Sequence, residues 1–322
     1  MPVSEYYGWG ICGKNLLMEF HKKVDVKYIE NGFTCSVRMP ETIELVRKLK
    51  SEPQNVDVPF IHATMPDFSP SIRNKGKPNI GYAFYENFTM PDDYVENAKK
   101  HYDILAGGSV WNKELFESYG INSVAIRQGV DRKIFYPDDT AKDDRFIVFS
   151  GGKFEQRKAQ DLVVKAVVEV QKKYPDIYLL VMWHNIFDLD NSKDEIKRIL
   201  KESGVKNLIF LGLYPQGIEA QIMRSTSIGI FPNKCEGGTN LVLMEYLACG
   251  NPVIARYDTG QRDVLNEDYA LMANELDEIV NCLEFAYNNR EKLKEMGRCA
   301  DLAMNNFSLE RTANEFLRIA YG

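Results

Sequence analysis

Five short, nearly unbroken apolar runs mark the second half of the chain: RFIVFSGG (145–152), IYLLVMWH (177–184), NLIFLGL (207–213), SIGIFPN (227–233) and NPVIARY (251–257). Runs of this length without polar alternation suit strands buried on both faces. Between them the period changes. In KAQDLVVKAVVEVQKKYP, Leu162, Val163, Ala166, Val167 and Val170 fall on one helical face, and Pro175 ends the helix. DEIKRILKESG (194–204) repeats the scheme and closes on Gly204. Strands alternating with helices predict a parallel sheet covered on both sides.

The first half alternates less regularly. A glycine-bearing turn, YYGWGICGKN, leads into a helix, and VDVKYIE, VDVPFIHAT, NIGYAFYE, YDILAGG and SVAIRQG are candidate strands. SVWNKELFESYG (109–120) reads as a helix capped by Ser109 and closed by Gly120. The acidic, proline-containing YPDDTAKDD (136–144) is the best linker in the chain. The expected architecture is therefore α/β, two Rossmann-like domains of residues 1–140 and 141–308 with a hinge near 140.

Composition narrows the function without naming it. The 322 residues are 44% apolar and 27% charged, as in a globular protein, and the net charge of -6 argues against a nucleic-acid partner. HKK (21–23) and RKLK (47–50) are candidates for a basic patch that touches an anionic membrane, although solvated helix faces explain them more simply. Six scattered cysteines (12, 35, 235, 249, 282 and 299) form no C-x-x-C pair and read as reduced thiols. With no signal peptide and no apolar stretch long enough to span a bilayer, a cytoplasmic protein, peripheral to the membrane at most, is expected.

One stretch, CEGGTNLVLMEYLACGNPVIA (235–255), carries the chemistry. The strand SIGIFPN, the loop KCEGG and a helix from about Asn240 make a strand–turn–helix unit. Ligands of parallel sheets bind at the carboxyl ends of strands, and the first free N–H groups of the next helix form an anion site. Gly237 and Gly238 leave room for a phosphate to approach the backbone, while Thr239 or Asn240 can cap. Glu245 is the odd residue, a carboxylate in the middle of LVLMEYLA. A buried glutamate satisfied by a neighbouring donor is the plain reading; a ligand-facing one is the other.

EGGTNLVLMEYLACGNPVIA resembles the signature of the retaining nucleotide-sugar glycosyltransferases of family four, which have the GT-B fold. FYENFTMPDDYVENAKKHYDILAGGSVWNKELFESYG with QGVDRKIFYP, SGGKFEQRKAQDLVVKA and NLIFLGLYP are similar to further family segments in the same order. Three departures are visible. Eight residues separate Glu236 from Glu245 where the family has seven, Ala159 stands where a glycine often follows the phosphate-binding lysine, and only seven residues precede Gly8 where the family has a first strand.

The resemblance implies transfer of a sugar from a UDP- or GDP-linked donor to an acceptor hydroxyl of a glycan or lipid-linked acceptor, without metal or other cofactor. It places Lys153 and Lys158 at the diphosphate, with Arg157 as the adjacent candidate, and gives Glu245 the ribose hydroxyls. Glu236 and His62 would touch the transferred sugar, and the N–H groups from Gly237 to Leu241 would hold sugar and diphosphate. Gly10 and Gly13 would lie in a loop facing the diphosphate, with Trp9 free to pack instead. Glu86 and its aromatic neighbours would line the acceptor side, and the helix at 309–322 would return to the first domain. No catalytic base is implied, since the departing phosphate takes the acceptor proton. DLD (188–190) matches an Asp-x-Asp metal motif, but its context reads as the approach to a helix. Rival readings are a catalytically inactive sugar-nucleotide scaffold and an epimerase or phosphorylase relative on the same fold.

Overall fold

The computed structural model describes residues 1–30, 39–52 and 55–322, which divide into two compact units. The first comprises Met1–Gly129, Glu236–Thr239 and Phe307–Gly322, and the second Val130–Cys235 and Asn240–Asn306. Each is a parallel α/β layer structure.

The first unit begins with α1 (Gly8–His21) and α2 (Pro40–Leu49). There follow β1 (Phe60–Ala63), β2 (Asn79–Ala83), α3 (Asp92–His101), β3 (Ile104–Gly107), α4 (Val110–Ser118) and β4 (Ser123–Ala125). The four strands lie parallel in chain order. Ser109 caps α4, its Oγ accepting from Asn112 N, and Gly120 leaves the helix at φ +67.

Two expectations fail here. VDVKYIE (24–30) forms only an isolated bridge from Tyr28 to Lys50, because its partner chain has already left α2 and runs beside it for one residue. Gly10 and Gly13 are not in a loop. Both lie inside α1, where residues 2–4 fold back so closely that Ser4 and Pro2 occupy the space a Cβ would need. Trp9 packs edge-on against Phe84 at 4.5 Å.

The second unit runs β5 (Ile147–Lys153), α5 (Gln160–Gln171), β6 (Tyr178–His184), α6 (Leu189–Glu202), β7 (Leu208–Phe210) and α7 (Gln216–Arg224). It continues with β8 (Ile228–Phe231), α8 (Leu241–Ala248), β9 (Val253–Ala255), β10 (Ala270–Met272), α9 (Leu276–Asn288) and α10 (Arg290–Met304). The six strands pair in the order β10-β9-β8-β5-β6-β7, all parallel. Val148, Leu179, Val181, Ile228, Ile230 and Ile254 on these strands pack with Val163, Val167 and Val170 of α5, which is why the apolar runs carry no alternation.

Residues 136–144 are fastened to this unit. The Arg224 guanidinium donates to the carbonyls of Ile134 and Tyr136 and lies 3.9 Å over the Tyr136 ring, and Lys142 Nζ donates to Thr226 O at 3.0 Å. α6 starts at Leu189, so Asp188 is its N-cap residue and Asp190 lies in its first turn.

The chain then re-enters the first unit as α11 (Leu309–Tyr321). Ala313, Phe316 and Ala320 face the core there, and Phe316 meets Tyr82 edge-on at 4.9 Å and Phe20 at 6.2 Å. Among the described residues no helix is long and apolar enough to cross a membrane. Burial pushes the Cys12 and Cys249 thiols up to about 12, so both stay protonated; Cys35 lies outside the described residues.

Candidate functional site

The order of the second sheet fixes where a ligand belongs. From β5 the chain moves outward to β6 and β7, then returns to lay β8 on the other side of β5. The carboxyl ends of β5 and β8 therefore flank a topological switch point, the place where open parallel sheets bind ligands. Lys153 ends β5, and the loop through Cys235 follows β8. Two hydrogen bonds tie these ends together: Lys234 N donates to Arg157 O at 2.8 Å, and Arg157 Nη1 donates to Cys235 O at 3.0 Å.

The β5 end is cationic. Lys153 and Arg157 flank a carboxylate, Glu155, which pairs with Lys153 Nζ and with Arg157 Nη2 at 2.8 Å, and Lys158 follows in the same turn. One acid among three bases leaves the turn net positive. Lys158 is 9% exposed, so its charge acts in a low-dielectric setting. Ala159 follows at φ +51, the left-handed conformation that explains why a glycine suits this position.

At the β8 end, Asn240 also adopts the left-handed region, φ +59, and opens α8 without a side-chain cap. Its amide has another task, donating from Nδ2 to Gln261 Oε1 at 3.0 Å, while Gln261 Nε2 donates to Arg256 O at 2.8 Å. Asn240 as a capping residue is thus corrected: its side chain faces Gln261, not the helix. Among the described residues, the N–H groups of Leu241, Val242 and Leu243 have no protein acceptor. These donors and the helix dipole favour an anion.

Glu245 is 3% exposed and accepts from Gln216 Nε2 at 3.0 Å. Its neighbours on α8, Leu243, Met244, Tyr246 and Leu247, are completely buried. Holding a carboxylate there costs several kcal/mol, of the order given for a buried ion, unless polar partners meet it.

Glu236, Gly237, Gly238 and Thr239 group with the first unit. Gly237 has no room for a side chain, since a Cβ would come 2.5 Å from Tyr85 N, and its carbonyl accepts from Ser109 Oγ at 2.8 Å. The direction a side chain would take from these glycines is filled by Phe84 and Tyr85. Glu236 and Thr239 are buried as well.

His62 is a packed residue. It stands within β1, 1% exposed, between Phe60 and Tyr102, with Nε2 2.9 Å from Asn79 Oδ1. Burial drives its pKa down to about 4, so it is neutral, and its Nδ1 meets no hydrogen-bond partner among the described residues. The basic clusters are largely compensated: Lys22 pairs with Glu19, Lys23 with Glu310 at 2.9 Å, and Lys50 with Glu30 at 2.7 Å. No group of three or more potential metal ligands occurs among the described residues, the DLD stretch included.

Sequence reading missed Glu155, Gln216 and Gln261. Only Gln216 carried a local signal, as the polar residue after Pro215 at a helix start.

A family model described as glycosyl transferases group 1 matches residues 131–301. Phosphatidyl-myo-inositol mannosyltransferase of Mycobacterium tuberculosis is 28% identical over 155 residues, 47% of this chain and 39% of that protein. D-inositol 3-phosphate glycosyltransferase of Paenarthrobacter aurescens is 25% identical over 218 residues, 62% of this chain and 52% of that one. The chain thus spans about half or less of the curated relatives' length. The crystal structure of HepE from Anabaena in complex with UDP superposes with a TM-score of 0.72 at 12% identity, covering 99% of this chain and 97% of that one.

Proposed function

The chain belongs to the family of glycosyl transferases group 1, and from that premise we propose that it moves a sugar from a nucleoside-diphosphate donor to an acceptor hydroxyl with retention. The observation that carries this reading is the switch point of the second sheet. Three cations, an uncapped helix N-terminus and a buried carboxylate are each suited to a different part of one donor.

In the proposed reaction the bond from the anomeric carbon to the diphosphate breaks as the acceptor oxygen bonds on the same face. The acceptor proton passes to the departing phosphate oxygen. The transition state is oxocarbenium-like, with negative charge growing on the diphosphate. Fixed ammonium, guanidinium and N–H groups stabilise that charge without reorganising. Lys158, Arg157 and Lys153 take this role with the first N–H groups of α8, so no metal is required of the scheme. Glu245 receives the ribose hydroxyls, and Glu236 the hydroxyls of the moving sugar.

The curated relatives are named for transfer to inositol-containing acceptors, and HepE was crystallised with UDP. The former supports an inositol- or lipid-linked acceptor and the latter a UDP-linked donor, with a GDP-linked donor the other candidate. The test is incubation with UDP- and GDP-sugars and the NMR anomeric configuration of the product. An inverted product removes retention. Tight donor binding with neither hydrolysis nor transfer would favour the inactive scaffold.

A further inference from the structure

The contact between Gln216 and Glu245 joins two buried side chains from different helices. Gln216 is the first residue of α7 and 6% exposed; Glu245 lies on the second turn of α8. Nε2 of the amide donates to Oε1 of the carboxylate at 3.0 Å. We infer that Gln216 is a positioning residue: it fixes the plane of the Glu245 carboxylate so that this site reads a ribose diol. The inference rests on Glu245 receiving the ribose.

A glutamate side chain has three soft torsions, and a carboxylate must meet a diol in its own plane to accept two hydrogen bonds. Holding one oxygen fixes where the other lies. An amide does this without bringing a charge of its own, as a lysine or arginine would. The donor also comes from the N-terminal end of α7, where the helix carries partial positive charge. Such a contact costs ordering entropy in advance, and the ligand gains accordingly.

The test measures selectivity, which a merely structural glutamine would not control. UDP, GDP and ADP and their 2′-deoxy counterparts are titrated calorimetrically into wild type, Gln216→Met, Gln216→Glu and Glu245→Ala at pH 8. Glu219, one turn along α7, has its carboxyl raised to about 7 by burial and is mostly ionised there. Wild type should prefer the ribonucleotide roughly tenfold, the effect of a hydrogen bond to a charged group. In Gln216→Met the preference should fall toward unity with little change in deoxynucleotide affinity. Gln216→Glu, nearly isosteric, should lose it further because a second carboxylate faces the first.

Loss of preference in Glu245→Ala with full preference in the Gln216 variants overturns the inference and leaves the ribose site standing. Equal binding of both nucleotide forms to wild type, unchanged in Glu245→Ala, or no binding at all, overturns the ribose assignment and the inference with it. Should Gln216→Met not fold, Gln216→Glu decides by the same ratio.

Discussion

His62 and Glu245 share most of what makes a polar side chain conspicuous. Each is almost sealed from water, each sits among aromatic or aliphatic neighbours, and each is hydrogen-bonded to the carboxamide of a residue elsewhere in its own unit. Their positions in the fold differ. His62 stands within the first strand of a sheet whose strands, among the described residues, run in chain order without a reversal. Glu245 follows a strand that flanks a reversal. The chemistry differs too. A buried imidazole escapes its desolvation cost by losing a proton, whereas a carboxylate sheds its charge only by giving up its strength as an acceptor. Burial with an amide partner is thus compatible with pure packing, and it is the location at the switch point that makes Glu245 the stronger candidate.

The site side of this comparison should break most severely at Lys158. Lys158→Ala is expected to lower kcat by roughly 10²–10³ with a smaller change in donor affinity, since its charge gains strength as the diphosphate departs. Steady-state kinetics read this directly, and a change confined to KM would make Lys158 a binding residue only. Glu245→Ala should weaken nucleoside-diphosphate binding by about 1–3 kcal/mol, the cost of stranding polar partners. His62→Gln should leave that affinity within about twofold, and calorimetry on both variants compares the two residues in one experiment.

His62 should betray itself through pH instead. Its folded pKa of about 4 lies below the ordinary 6.5, so the unfolded chain binds the proton more readily. The stabilisation is full above pH 6.5 and lost as pH falls toward 4, about 2 kcal/mol between pH 7.5 and 5. Urea unfolding of wild type should show this slope, and His62→Gln should flatten it. The smallest effect is expected from chelation: EDTA should leave donor affinity unchanged, and a loss would return Asp188 and Asp190 to the site.

These contrasts follow what a linear sequence exposes. The second sheet was legible because strands buried on both faces must be apolar throughout. The charge of Glu245 was legible because it interrupts the apolar helix LVLMEYLA. The buried amide partners were not: Gln216 is 29 residues from Glu245, and Gln261 is 21 from Asn240, with no periodicity joining them. Gly10 and Gly13 read as a loop because glycine usually marks one, yet here the chain before α1 folds onto that helix, a tertiary fact. The strand VDVKYIE failed for the same reason, since its alternation is real but a neighbour is present for one residue only. His62 alternates correctly for a strand, and no periodicity says which face is solvent.

The placement of α11 bears on how the chain is made. The first unit's core is completed by Phe316, which closes over Tyr82 and Phe20, yet the whole second unit precedes it in translation order. Emerging vectorially from the ribosome, the chain can finish its second unit while the first still waits for its last helix, reversing the usual N-terminal-first order. Apolar surface on α1 and β2 stays open meanwhile, a window for chaperones or aggregation. A chain ended before Leu309 should therefore show rapid proteolysis of residues 1–129 and a protected second unit, and equal protection of both would mean that the first core closes without its final helix.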